Sequence, residues 1–275
     1  MAAFPQRRIS RMAVWARSLS AFSLVLLVTA GVGHRYGLVD SYAFLWTLAL
    51  VALLALAGLL LAAGGFVQLW RHGAKAGMAA LAATLMSAAV LTPFAAAGWL
   101  YLTLPALTDI STDLDEPPPF RIAPGLRTPQ MNALGPITAE AAALQSLHYP
   151  QVTGRRLDAP VERVLAALAP VVAARGWRQR GPMLSSARAP DILIEMETPS
   201  FLMRFPADAV LRLTDEDETT FVDIRMAARF GPHDLGANAR RIAAFMADLA
   251  AEVERQSLEI IDIPAASEGG VNPVD

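Results

Sequence analysis

The chain has 275 residues, no cysteine, 54% hydrophobic residues and 17% Asp, Glu, Lys and Arg, where an ordinary soluble domain carries about 25% charged residues. That composition excludes a disordered chain, a disulfide scaffold and a highly charged nucleic-acid binder. The formal charge of −2 conceals a division: residues 1–104 hold seven basic side chains and one acid, Asp40, which leaves 16 basic and 24 acidic residues beyond them.

Three apolar runs occupy the first part: residues 12–33 with Arg17 near the start, then 41–70 and 77–104 without a charge. A bilayer core about 30 Å thick takes roughly 20 helical residues, so each run is long enough to span. Pro93 is expected to kink the third. The first run also fits a cleaved signal peptide, with Arg7, Arg8 and Arg11 as its charged region, and two uncharged spans remain if it is removed. Arg7, Arg8, Arg11, Arg17, Arg71 and Lys75 fall on one side of the spans and Arg35 and Arg121 on the other. Positive residues stay in the cytoplasm, so the N-terminus is expected inside and everything from Pro105 outside. Arginine supplies 22 of the 23 basic residues, which points to a GC-rich bacterial source. The expected location is therefore a bacterial inner membrane, with a multi-pass anchor and a periplasmic domain. No charge lies mid-span, where a transport path needs one. The dense Ala and Gly of the third span suit close helix packing, so the three spans read as an anchor over residues 1–104.

Residues 105–150 read as a proline-containing linker with a short helix at 138–147. Pro117, Pro118 and Pro119 favour an extended chain, and the segment reads as a stiff acidic spacer. Asp109, Thr112 and Asp113 offer oxygens, but the alternating ligands and glycine turn of a calcium loop are missing.

From Gln151 the pattern is α+β. A strand is expected at 152–157, then a helix capped by Asp158 with Val161, Val164, Leu165, Leu168, Val171 and Val172 on one stripe, and strand again at 177–180. Alternation marks strands at 191–198, 208–214 and 219–230, and a helix follows over about 235–256. The order β-α-β-β-β-β-α predicts an antiparallel sheet with two helices on one face, spanning 151–263, and a flexible tail at 264–275. The other face carries Glu195, Glu197, Arg212, Asp223 and Arg225. It reads either as a polar recognition surface or as a solvated face of cross-strand ion pairs.

The junction from Arg229 to Arg241 contains Gly231, His233, Asp234, Gly236 and Asn238. Asp234 is placed to cap the last helix, whose exposed N–H groups alternatively attract an anion alongside Arg229 and Arg241. The elements Asp109-Ile-Ser-Thr112-Asp113, Pro117-Pro118, Phe120, Tyr149-Pro150 and Arg229-x-Gly-x-x-Asp-Leu-Gly-x-Asn-x-x-Arg-Ile242 together resemble the domain of unknown function 1499 family. The resemblance covers about residues 104–249 and implies location and fold without an activity. Relatives are expected to carry serine at the positions of Ala228 and His233, so a hydroxyl site is not carried over.

The four histidines show no metal-ligand spacing, and the chain lacks a G-x-S-x-G, a P-loop and a G-x-G-x-x-G. Glu195 and Glu197, about 7 Å apart on one strand face, fit a solvated surface. No metal or cofactor is expected. The reading is a non-catalytic membrane-anchored domain that binds an envelope protein or a small anionic ligand, with Asp109, Thr112, Asp113, Arg225, Arg229, Asp234, Asn238 and Arg241 as candidate contacts. Two alternatives stand beside it: an envelope enzyme using Arg225, Arg229, Asp234, Asn238 and Arg241, and a structural subunit of a membrane assembly.

Overall fold

The computed structural model describes residues 8–185, 191–200 and 202–261; the expected tail at 264–275 lies outside them. Three helices come first. Helix α1, Arg11–Arg35, starts where Ser10 accepts a bond from the Ala13 amide. Helix α2, Ser41–His72, is capped by Asp40 through the Ala43 amide at 2.9 Å and ends at the left-handed Gly73. Helix α3, Gly77–Thr103, continues through Pro93. Each is long and apolar enough to cross a membrane.

The bundle is packed on small side chains. Ala13, Ala16, Ala62, Ala80 and Ala83 form one buried cluster, and a Cβ at Gly58 would collide with the Ser20 hydroxyl. Buried hydroxyls tie the seam: Ser20 to Ser87 at 2.8 Å and Ser23 to the Val51 carbonyl at 3.0 Å. Leu53, Leu60 and Leu85 point outward and are exposed. Small residues inside and large apolar residues outside suit a bundle solvated by lipid, since burying leucine between helices gains nothing over leaving it in hydrocarbon. Exposed Trp46 and Trp70 lie about 36 Å apart along α2, the spacing of two membrane interfaces. At the Trp70 end, the Lys75 amide bonds the Arg8 carbonyl at 2.9 Å, which gathers the basic residues. The α1–α2 turn and the end of α3 lie at the opposite end, beside the second domain.

That domain runs through strand β1 (Asp109–Ser111), a 3-10 turn (Ala123–Leu126), helix α4 (Ala139–His148), strand β2 (Arg155–Leu157), helix α5 (Val161–Ala174) and strands β3 (Arg178–Gln179) and β4 (Leu184–Ser185). Strands β5 (Asp191–Pro199), β6 (Pro206–Glu216) and β7 (Thr219–Ala228) and helix α6 (Ala237–Ile261) complete it. The antiparallel sheet has the order β1-β7-β6-β5-β3. Each edge is two short strands laid end to end: β1 and β2 both pair with β7, β3 and β4 both with β5. Helices α5 and α6 pack on one face through Val164, Leu168, Ile242 and Phe245 against Ile194, Leu211 and Ile224, and Trp177 stacks on Phe245 at 5.0 Å between ring centroids. This is the expected fold class.

Three local readings are corrected. Residues 109–111, expected within a spacer, are an edge strand in register with Arg225–Ala227. Helix α5 begins after Pro160 without a side-chain cap, because proline at that position already fixes the entry dihedral, so Asp158 does not cap it. Helix α6 begins at Ala237 and not at Leu235, since Leu235 (φ 55°) and Gly236 (φ 68°) are both left-handed and a right-handed helix cannot include them.

Candidate functional site

The polar face of the sheet is neither open nor solvated. Glu195, Asp208, Asp223 and Arg225 are buried, because residues 112–136 cross this face as a strap. Every buried charge on β5, β6 and β7 except Glu197 meets a partner on it. The Glu195 carboxylate accepts from the amides of Arg121, Ile122 and Ala123, the last two at 2.8 Å. Arg212 bridges Asp113 and Asp223, both at 2.7 Å, and donates to the Glu116 carbonyl. Arg225 holds Asp109 in a two-pronged pair at 3.0 and 2.8 Å, donates to the Gly135 carbonyl and lies over the Phe120 ring. Asp208 sits between Arg127 and Arg229, and Arg127 also reaches the Asn132 carbonyl at 2.7 Å. Burial pulls the Arg127 guanidinium below its ordinary value, opposed by the charge of Asp208. At Asp113 burial pushes upward, but the amide of Glu116 and the guanidinium of Arg212 outweigh it, and the carboxyl titrates below its usual range.

The junction between β7 and α6 is a clasp on the exit of α3. Asp234 accepts from the amides of Gly236 at 2.8 Å and Asn238 at 2.9 Å, as a cap does,. Its own amide donates to the Leu107 carbonyl, and the Asn238 side chain donates to the Thr108 carbonyl at 3.0 Å. The Leu235 amide donates to His233 Nδ1 at 2.8 Å, so the ring proton sits on Nε2 and is donated to the Leu104 carbonyl at 3.0 Å,. Burial raises the Asp234 carboxyl above its ordinary value against the two capping amides. Arg241 lies over Trp177 and donates to the Thr198 carbonyl; burial brings it down to about 10.

The eight candidate residues therefore divide among three places. Asp109, Thr112, Asp113 and Arg225 join strap to sheet; Asp234, Asn238 and Arg241 build the junction; Arg229 borders a cleft between anchor and domain. That cleft, about 680 Å³, has the α1–α2 turn as one wall and Arg178, Glu197, Arg204 and Arg229 on the other. Glu197 is shared by Arg178 at 3.0 Å and by Arg180. Arg35 contributes from the anchor and donates to the Leu202 carbonyl at 2.9 Å. A second pocket of about 300 Å³ adjoins it, with Leu45, Phe205 and Ala207 in its walls beside the junction residues Asp234, Asn238 and Arg241, and with Pro206 and Phe230 common to both. Among the described residues no three His, Asp or Glu side chains gather as a metal-binding group. Asp208 and the cleft residues Arg35, Arg178 and Arg204 were absent from the sequence candidates, whereas Arg229 was among them. Alternation did carry a signal for Asp208, since Ala209, Leu211 and Leu213 face the core and place it opposite. Nothing in the sequence signals the cleft, whose walls lie more than a hundred residues apart.

The family model described as "Protein of unknown function (DUF1499)" matches residues 109–249, from the first residue of β1 into α6, just over half the chain. No curated protein matches it. The matched region begins with the strap and its strand, so the family's unit is the strapped sheet with its helices. This chain belongs to the DUF1499 family.

Proposed function

We propose that this is a bacterial inner-membrane protein, N-terminus in the cytoplasm, whose periplasmic domain binds a small anionic ligand in the cleft against its own anchor and does so without catalysis. The observation that carries this reading is the cleft itself. Its volume lies within the roughly 300–1,000 Å³ of ordinary ligand sites, and Arg35, Arg178, Arg204 and Arg229 line it against Asp40 and Glu197. Asp40 is already engaged as the cap of α2. Arg204 makes no ion pair among the described residues.

Catalysis is disfavoured because Arg225 lies apart from the other four residues it needs, and because the three that share the second pocket's wall are already engaged with main-chain groups. Arg225 lies under the strap, Asp234 is a cap, and Arg241 is held by a main-chain carbonyl. The bias of basic residues toward the Trp70 end supports the orientation.

The test is native mass spectrometry of the full-length protein extracted gently from its own membrane. A discrete added mass on the native protein, lost in an Arg178→Ala, Arg204→Ala double variant, is the expected result. A clean mass, or an adduct the double variant retains, overturns the cleft reading. Alkaline phosphatase fused after residue 261 is expected to be active, and inactivity overturns the orientation.

A further inference from the structure

We infer that the cleft ligand is an anionic diacyl lipid, its phosphate head among the arginines and its first chain carbons against the neighbouring apolar pocket. This rests on the cleft reading above and names its ligand class.

The first argument is position. One wall of the cleft is the α1–α2 turn, the end of two helices long enough to cross a membrane, and exposed Tyr36, Tyr42 and Trp46 surround it. Aromatic side chains with one polar edge gather at the headgroup level of a bilayer. Residues 202–205, which lead into β6, reach the same level. Met203 packs over Gly31, and Leu202 is 70% exposed beside it. Gly31 lies one turn before the end of α1, so Met203 sits about 6 Å below that end,. The segment is tied there by Arg35 to the Leu202 carbonyl and by Phe205 against His34 and Phe44. A leucine held in that place is solvated by lipid.

The second argument is the pairing of two chemistries. Arg178 and Arg204 present guanidinium groups suited to phosphate oxygens. Across Pro206 and Phe230 the adjoining pocket has Leu45, Phe205 and Ala207 in its wall together with Asp234, Asn238 and Arg241, whose side chains are already hydrogen-bonded to main-chain groups. A free anion gains nothing from Leu45, Phe205 and Ala207, whereas an acyl chain gains from leaving the headgroup layer to lie against them. Leu45 stands one turn into α2, where chains begin in a bilayer whose headgroups flank the turn.

The experiment titrates delipidated full-length protein in detergent with dioleoyl phosphatidylglycerol, dioleoyl phosphatidylcholine and glycerol 3-phosphate, read by native mass spectrometry. One phosphatidylglycerol per protein is expected, bound at least tenfold more tightly than phosphatidylcholine. Arg178→Ala with Arg204→Ala should weaken it tenfold or more. Leu45→Trp, which fills the chamber, should weaken the lipid while leaving glycerol 3-phosphate unchanged; Leu45→Gln serves where the larger residue disturbs folding. Glycerol 3-phosphate binding as tightly as the lipid, with the Leu45 variants silent, overturns the lipid and leaves a soluble anion in the cleft. Equal binding of both lipids, indifferent to the arginine variants, identifies annular lipid and overturns both readings, as does failure of every probe to bind.

Discussion

On one face of the sheet, Ile194, Leu211 and Ile224 meet α5 and α6 through apolar packing; on the other, Glu195, Asp208, Arg212 and Arg225 meet an extended strap through ion pairs and main-chain hydrogen bonds. Both faces are buried, but they are specified differently. Apolar burial is non-directional, so any helix with a suitable stripe can close the first face. A buried charge needs a partner at a fixed place and angle, because desolvation costs several kcal/mol when the pair is incomplete. The second face and the strap therefore determine one another residue by residue. The cover on this face contributes register and uniqueness more than net stability, since an intact buried pair roughly breaks even with an apolar replacement.

The largest effects test that contrast directly. Asp208→Ala leaves Arg127 and Arg229 buried without their carboxylate and is expected to cost about 3–5 kcal/mol. Phe245→Ala, on the other face, is expected to cost a similar 3–5 kcal/mol through its cavity. The two should fail differently under limited proteolysis. The Asp208 variant should be cut first within residues 112–136, and the Phe245 variant throughout the domain at once. Identical cleavage patterns would show that strap and core open as one unit. A smaller loss, about 1–3 kcal/mol, is expected for Glu195→Gln, which replaces one carboxylate oxygen that accepts strap amides with a donor. Urea unfolding followed by tryptophan fluorescence measures it, and an unchanged midpoint would mean the strap is held without Glu195, through Arg127, Arg212 and Arg225.

The same contrast explains what the sequence revealed. Alternation in 191–198, 208–214 and 219–230 assigned every strand residue to a face, and the stripe Val161, Val164, Leu168 announced the helix that covers one of them. Nothing comparable announces the strap. Its prolines and acids are also the composition of a spacer, and its partners stand about a hundred residues downstream, as Thr112 with Asp223 and Asp113 with Arg212 do. Strands of two or three residues, such as β1 and β4, are too short to display a period. Asp234 was legible as a cap because capping is local. Its neighbour Asn238 was legible only as a polar residue, since the Thr108 carbonyl it clasps lies 130 residues away.

The smallest expected effect separates the strap from the junction by pH. Asp113 is held below its ordinary value, so its contribution is complete above the usual carboxylate range and is lost only as pH falls through that lowered value. Asp234 is raised by burial, so its ionisation opposes folding at neutral pH, and that cost disappears as pH falls through the raised value. Acidifying from pH 7 should therefore first raise the unfolding midpoint slightly and then lower it below the ordinary aspartate range. Asp234→Asn should remove the rise and leave the later fall, while Asp113→Asn should blunt the fall and leave the rise. Each is measured as the thermal midpoint of tryptophan fluorescence between pH 7 and 3 in detergent. A rise that survives Asp234→Asn would place the titrating group elsewhere than the cap. The clasp on α3 would then be held by His233 and Asn238, with the aspartate carried at no cost.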